Sequence, residues 1–135
     1  MSATTKDFVI KVIPMGAVRS NGRKSMYHSK NGSRVSSYVS YKKTIAWELK
    51  KLKVEEIPSE IEYLRFYMPI PNTKLKKYRD RVGKLHTQKP DLDNLMKAFL
   101  DANGKEDSHI AAINGGLKKI WCLPEETRIE FGIKK

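Results

Sequence analysis

KPDLDNLMKAFLDAN, residues 89–103, decides how the rest of the chain is read. Leu92, Leu95, Met96, Phe99 and Leu100 recur at helical spacing and make one apolar stripe, with Asn103-Gly104 as a suitable C-terminal stop. Ahead of the stripe stand Pro90, Asp91 and Asp93, and Lys97 follows Asp93 by four residues. Side chains two apart on a helix point to nearly opposite sides. The two carboxylates therefore converge only if Asp91 stands outside the helix as its N-cap and Asp93 lies in the first turn, both at the positive end of the dipole. Two readings are open. One is ordinary helix capping with an i,i+4 Asp–Lys pair worth roughly 0.2–0.5 kcal/mol; the other is a site that holds a divalent cation against a phosphate. Asp101, two turns beyond Asp93, reads as an exposed helix residue.

Working outward, Phe8–Ile13 is a short apolar run ended by Pro14 and predicts a strand. Tyr41, Ile45, Leu49 and Leu52 predict an amphipathic helix over 39–53. Ile61–Met68, apolar and aromatic on both faces and stopped by Pro69 and Pro71, predicts a strand well inside a sheet. The run HIAAINGGLKKIW, 109–121, is either a hairpin or one long strand with a glycine bulge at Asn114-Gly115-Gly116, and the bulge is preferred. Thr127, Ile129, Phe131 and Ile133 alternate as a final strand. The order β-α-β-α-β-β predicts a mixed α/β fold, a small mixed β-sheet with two helices packed on one face, in a single domain spanning 1–135.

Charge narrows the function. The 135 residues carry 27 Lys and Arg against 15 Asp and Glu, a net +12. Seven of the basic residues (Arg19, Arg23, Lys24, Lys30, Arg34, Lys42, Lys43) fall between 19 and 43 with no acidic one among them. Seven more (Lys74, Lys76, Lys77, Arg79, Arg81, Lys84, Lys89) fall between 74 and 89 against Asp80 alone. The excess is therefore local. Segments 19–37 and 72–89 are too polar to pack and read as long surface loops, with Tyr27, Tyr38, Tyr41 and Tyr78 in or beside them to stack on bases. A polyanion, and among polyanions nucleic acid, is the expected partner, with Arg19, Arg23, Lys24, Arg34, Lys76, Lys77, Arg79, Arg81 and Lys89 as the expected DNA contacts. No apolar run approaches the roughly 20 residues that cross a bilayer. Lone Cys122 has no partner for a bridge and no secretory leader opens the chain, so a reduced, cytoplasmic setting without membrane attachment is expected.

Asp107, in Glu106-Asp107-Ser108 at an expected strand start, supplies a third carboxylate that can turn back toward the helix. Three aspartates around one point repel one another unless a cation sits among them, and oxygen-only ligands suit Mg2+ or Mn2+. Zinc lacks its spacing, since one Cys and the scattered His28, His86 and His109 make no ligand set. There is no Walker loop, dinucleotide fingerprint or serine elbow, so no nucleotide cofactor is expected. Reach is the difficulty. A helix of about eleven residues is about 16 Å long, whereas the residues from Gly104 to Asp107 span at most about 13–14 Å. Either the chain folds back at once along the helix or a second subunit completes the site.

KPDLDNLMKAFLDAN followed by EDSHI resembles the signature of the RusA-type Holliday junction resolvases: an Asp-x-Asp-Asn helix start, a lysine, and a later acidic-Asp-Ser segment. The resemblance is strong over about 89–122 and looser elsewhere. The turn after Asn103-Gly104 is shorter than in many members, and His109 stands where Gln is usual. Carried over by position, the resemblance implies that Asp91, Asp93 and Asp107 are metal-binding catalytic residues and that Lys97 is catalytic. It further implies a homodimeric, Mg2+-dependent endodeoxyribonuclease, with Mn2+ able to substitute, acting on four-way junction DNA in a bacterial or phage-infected cell. The competing expectations are a non-catalytic nucleic-acid-binding module and a nuclease for other branched DNA, flaps or forks.

Overall fold

The order of elements is β1 (Thr5–Ile10), α1 (Ser29–Lys51), β2 (Glu60–Ile61), β3 (Tyr63–Pro69), α2 (Leu92–Ala102), β4 (Ala112–Ile113), β5 (Leu117–Cys122) and β6 (Arg128–Lys134). A computed structural model describes residues 5–18 and 29–134, apart from the side chains of residues 29–35 and of Asp107. The main sheet runs β1-β6-β3-β5, with β6 antiparallel to both β1 and β3 and with β3 parallel to β5. A parallel neighbour needs a crossover, and α2 supplies it.

One face of this sheet is apolar because its strands alternate. Phe8, Leu64 and Phe131 lie side by side in register, as do Ile10, Phe66 and Ile129, and all six are buried. Tyr41, Ile45 and Leu49 of α1 and Leu95 and Phe99 of α2 join the same core. Phe131 stacks on Phe8 at 5.0 Å and takes the edge of Phe99 at 5.2 Å. The opposite face is polar: Tyr63 donates to Asp7 at 2.6 Å, and Glu130 takes Arg65, Arg128 and the Tyr67 hydroxyl. The result is the expected mixed α/β fold, with both helices on the apolar face.

Local expectations change in several places. Strand β1 runs Thr5–Ile10, three residues earlier than the expected Phe8–Ile13, and takes its length from pairing with β6. Helix α1 begins at Ser29, ten residues before the expected start at 39, so the second half of segment 19–37 is helix and not loop. Ser, Asn and Gly are weak helix formers and Ser29–Ser37 carries no apolar stripe, so nothing periodic announces it. Extending a helix already anchored by buried Tyr38 and Tyr41 costs far less than nucleating one. Those two tyrosines belong to the core and offer no ring to a base; Tyr27 lies outside the described residues.

The 109–121 run behaves as a bulged strand. Glu60 pairs with Ala112 and Ile61 with Ile113, yet Leu64 pairs with Leu117, so the β4–β5 side carries one residue more than the β2–β3 side. Gly115 N–H donates to Glu62 O inside the bulge. A Cβ at Gly115 would stand 2.5 Å from that backbone oxygen, which has no room to retreat between two strands. Gly115→Ala is expected to cost about 1–3 kcal/mol. A urea titration checks this: a lower midpoint at unchanged slope is expected, and an unmoved midpoint would show that the bulge relaxes freely.

Candidate active site

Residues 14–17, leaving β1, lie against the first turn of α2, because Asn94 holds them twice. Its side-chain Nδ2 donates to Ala17 O at 2.9 Å and its carbonyl accepts from Ala17 N–H at 3.1 Å. Gly16 permits the approach, since a Cβ there would sit 2.8 Å from Asn94 Nδ2 and 3.0 Å from Pro90 Cβ. Between residues 14–17 on one wall and residues 89–91 with Asn94 on the other opens a cleft of about 510 Å³.

Asp91 lines this cleft as the N-cap residue of α2, with extended φ and ψ of −66° and 148°. Its carbonyl accepts from Leu95 N–H at 3.0 Å, but its side chain makes no capping hydrogen bond. Ordinary capping would spend the carboxylate on an orphan N–H of the first turn. Here that does not happen. Asp93 lies in the first turn and is exposed, as Asp91 is, and Lys97 is one turn further along, half-buried. Aspartates at this end of a helix are favoured by the dipole.

Asp107 is elsewhere along the chain's geometry. Residues Asp107–His109 form a 3₁₀ turn in place of the expected strand start, closed by His109 N–H donating to Glu106 O at 2.9 Å. Pairing starts only afterwards, where Ala111 N–H meets Ser59 O and the edge of β2 becomes available. The His109 ring donates to Ile57 O at 2.6 Å, and Ile57 N–H donates to Asn103 Oδ1 at 2.8 Å. These bonds tie the turn to the C-terminal end of α2, which ends at Ala102 with Gly104 beyond it at φ +73°. Asp91 and Asp93 are at the other end, a helix length of about 16 Å away. Among the described residues, which leave out the Asp107 side chain, no three His, Cys, Asp or Glu side chains gather closely enough to hold a metal ion. Asp101 differs from its expected solvated state: it accepts from the Tyr38 hydroxyl at 2.7 Å, and burial together with this bond raises the Tyr38 pKa.

The basic segment 72–89 is less free than a loop. Residues 83–86 lie along the outer edge of β5 in antiparallel fashion, with Gly83 N–H to Trp121 O, Trp121 N–H to Lys84 O, and His86 N–H to Lys119 O, each at 2.9 Å. Arg81 stacks on Tyr78 at 3.6 Å, and Tyr78 meets Trp121 edge-on. Lys76, Lys77, Arg79 and Lys89 are exposed on this ordered strap. Arg19, Arg23 and Lys24 lie outside the described residues, as does the side chain of Arg34.

His86 is buried under the strap, 4.2 Å from the Trp121 ring. Burial, and after it the Lys119 ammonium, lower its pKa. The unfolded chain takes up this proton near pH 6.5, as an ordinary His does, while the folded one does so only at lower pH. The stabilisation is therefore whole above about pH 6.5 and drains away as pH falls below it. Urea midpoints measured from pH 7.5 to 5 should fall on the acid side, and His86→Phe should flatten that fall. Parallel profiles for the two proteins would contradict it.

Sequence reasoning placed Asn94 in the Asp-x-Asp-Asn helix start without a role, and it did not mark Gly16 or Lys119. Lys119 Nζ donates to Gln88 O at 2.5 Å and to Pro90 O at 2.7 Å, directly before Asp91. Partial burial lowers its pKa, and the Asp91 carboxylate opposes that. A signal was present. Leu117, Lys119 and Trp121 alternate on one face of β5, and the register of Lys119 with buried Phe66 puts a charge where that face calls for an apolar residue.

A family model described as Endodeoxyribonuclease RusA matches residues 13–115, from just after β1 through α2 and the Asp107 turn to the glycine bulge. The chain belongs to the RusA family, endodeoxyribonucleases that act on Holliday junctions. No curated protein and no solved structure gives a match to it.

Proposed function

We propose that this protein is a Mg2+-dependent, structure-selective endodeoxyribonuclease of one domain, resolving Holliday junctions by paired phosphodiester cleavage in recombination and repair. Mn2+ would substitute for Mg2+. The observation that carries the reading is Asp91, an N-cap residue whose side chain is left out of capping where it lines a cleft, with a second aspartate in the first helical turn. Its donors are carboxylate oxygens, the chemistry that Mg2+ and Mn2+ prefer. When bound there, such an ion supplies an activated water and offsets charge at the phosphodiester.

Asp91 and Asp93 would hold the cation from one subunit. Asp107 completes the set from the partner subunit, because within one chain its turn is tied to the far end of α2 and an ion needs all its ligand oxygens within about 2 Å. Lys97 faces the non-bridging oxygens, where negative charge grows as the bond breaks. The exposed cations of the strap, Lys76, Lys77, Arg79 and Lys89, neutralise backbone phosphates and set the register of a junction arm. A homodimer with C2 symmetry matches the approximate two-fold symmetry of a four-way junction and brings one composite site to each of two opposed strands. Among the described residues, no helix is long and apolar enough to cross a membrane. Action on DNA then puts the enzyme in the cytoplasm of a bacterial or phage-infected cell. A synthetic four-way junction incubated with the wild type and with Asp93→Asn in Mg2+ tests the reading, as argued below. Binding without Mg2+-dependent cleavage by the wild type would leave a DNA-binding module in its place.

A further inference from the structure

Lys119 connects three parts of the molecule. Its backbone pairs with Phe66 of β3 on one side and accepts from His86 N–H of the basic strap on the other. Its side chain leaves the sheet toward α2, where the ammonium binds the carbonyls of Gln88 and Pro90. The second carbonyl belongs to the peptide that joins Pro90 to Asp91. An ammonium has three donors, and two are committed to fixing this one bend.

We propose that Lys119 is a positioning residue for Asp91: by holding both carbonyls it sets the angle at which the chain meets α2, and so where the Asp91 carboxylate stands to receive the cation. The inference rests on the metal site proposed above. Packing alone does not explain the residue. On the helix-covered face, beside Phe66, a leucine or methionine would fill the same space without the cost of withdrawing an ammonium from water. Without the ammonium, two carbonyls next to the cleft lose their donor, and the 88–91 bend is left to the ring of Pro90 and to the contacts of Asn94. Lys119 also gives the strap and the metal site a common anchor, so the DNA-contacting lysines and the carboxylates keep a fixed spacing.

Lys119→Met keeps the stem and removes the donors, and Lys119→Arg keeps donors at a different length. The measurements are Mn2+ binding by calorimetry, junction affinity in Ca2+, and amide hydrogen exchange across residues 88–95 without metal. For Lys119→Met we expect Mn2+ affinity to fall about 10–100-fold, the range for removing the partner that orients a metal ligand. Cleavage should be recovered at high Mg2+, exchange at Asp91 and Leu92 should quicken, and junction affinity should change by no more than about threefold. Lys119→Arg should recover part of the Mn2+ affinity, and it serves as the test if the methionine variant does not fold. Unchanged Mn2+ affinity and unchanged exchange overturn the proposal. So does a loss of junction affinity with Mn2+ binding intact, which would make Lys119 a phosphate contact. A wild type that binds no Mn2+ sinks the metal reading, whereas unaltered exchange across 88–95 in Lys119→Met sinks the clamp by itself.

Discussion

Asp93→Asn is expected to bind a four-way junction at least as tightly as the wild type and to cut it about a thousandfold more slowly or less. The two effects separate because they have different causes. Asp93 is exposed in the first turn of α2, outside the buried stripe of Leu95, Ala98, Phe99 and Leu100, so the substitution leaves the core intact. Losing a charge at the positive end of the helix dipole costs about 0.3–1 kcal/mol of stability, too little to unfold a domain. Near a phosphate the same loss removes repulsion and strengthens binding. In the proposed metal site, cleavage would depend on the anionic oxygen itself, which asparagine cannot supply to a hard cation. Gel-shift affinity in Ca2+ and nicking rates in Mg2+, measured on one preparation, check both halves. Equal nicking by the variant and the wild type would remove Asp93 from the chemistry, and with it the metal site.

What could be read from the residues divides along the reach of the forces involved. The stripe Leu92, Leu95, Met96, Phe99, Leu100 marked α2 to within a residue, because burial of a helix face is written into local spacing. The order of elements along the chain and the glycine bulge were legible for the same reason, since alternation and Gly115-Gly116 are local signals. The first turns of α1 were not, because their helicity is borrowed from an anchor further along the chain. Nor was the strap. Nothing within 72–89 says that residues 83–86 will line the free edge of β5, where Leu85 pairs with Ile120, 35 positions further along the chain. The carboxylate at Asp91 was legible as a residue type at an N-cap. That its side chain is left out of capping, and that a lysine from β5 holds the peptide before it, are consequences of tertiary packing.

The sharpest consequence concerns Asp107. Mixing Asp93→Asn subunits with Asp107→Asn subunits should restore nicking, although each variant alone should be inactive. Take a site built from Asp91 and Asp93 of one subunit and Asp107 of the other. In the mixed dimer one site collects both substitutions and the other collects neither, so one strand is cut. Random exchange makes about half of the dimers mixed, each with one working site of two, so about a quarter of the wild-type nicking rate is expected. Paired resolution should stay absent, because the opposed strand meets the dead site. If Asp107 instead served its own chain, every site in the mixture would carry one lesion and activity would stay at the level of the single variants. The geometry favours exchange between subunits. The Asp107–His109 turn is bound through Ile57 to Asn103 at one end of α2, while Asp91 is bound through Pro90 to Lys119 at the other. Folding the turn back would break the His109 and Asn103 hydrogen bonds and still have to cover the roughly 16 Å of the helix. A symmetric neighbour needs only to present that end of its own α2 to this cleft.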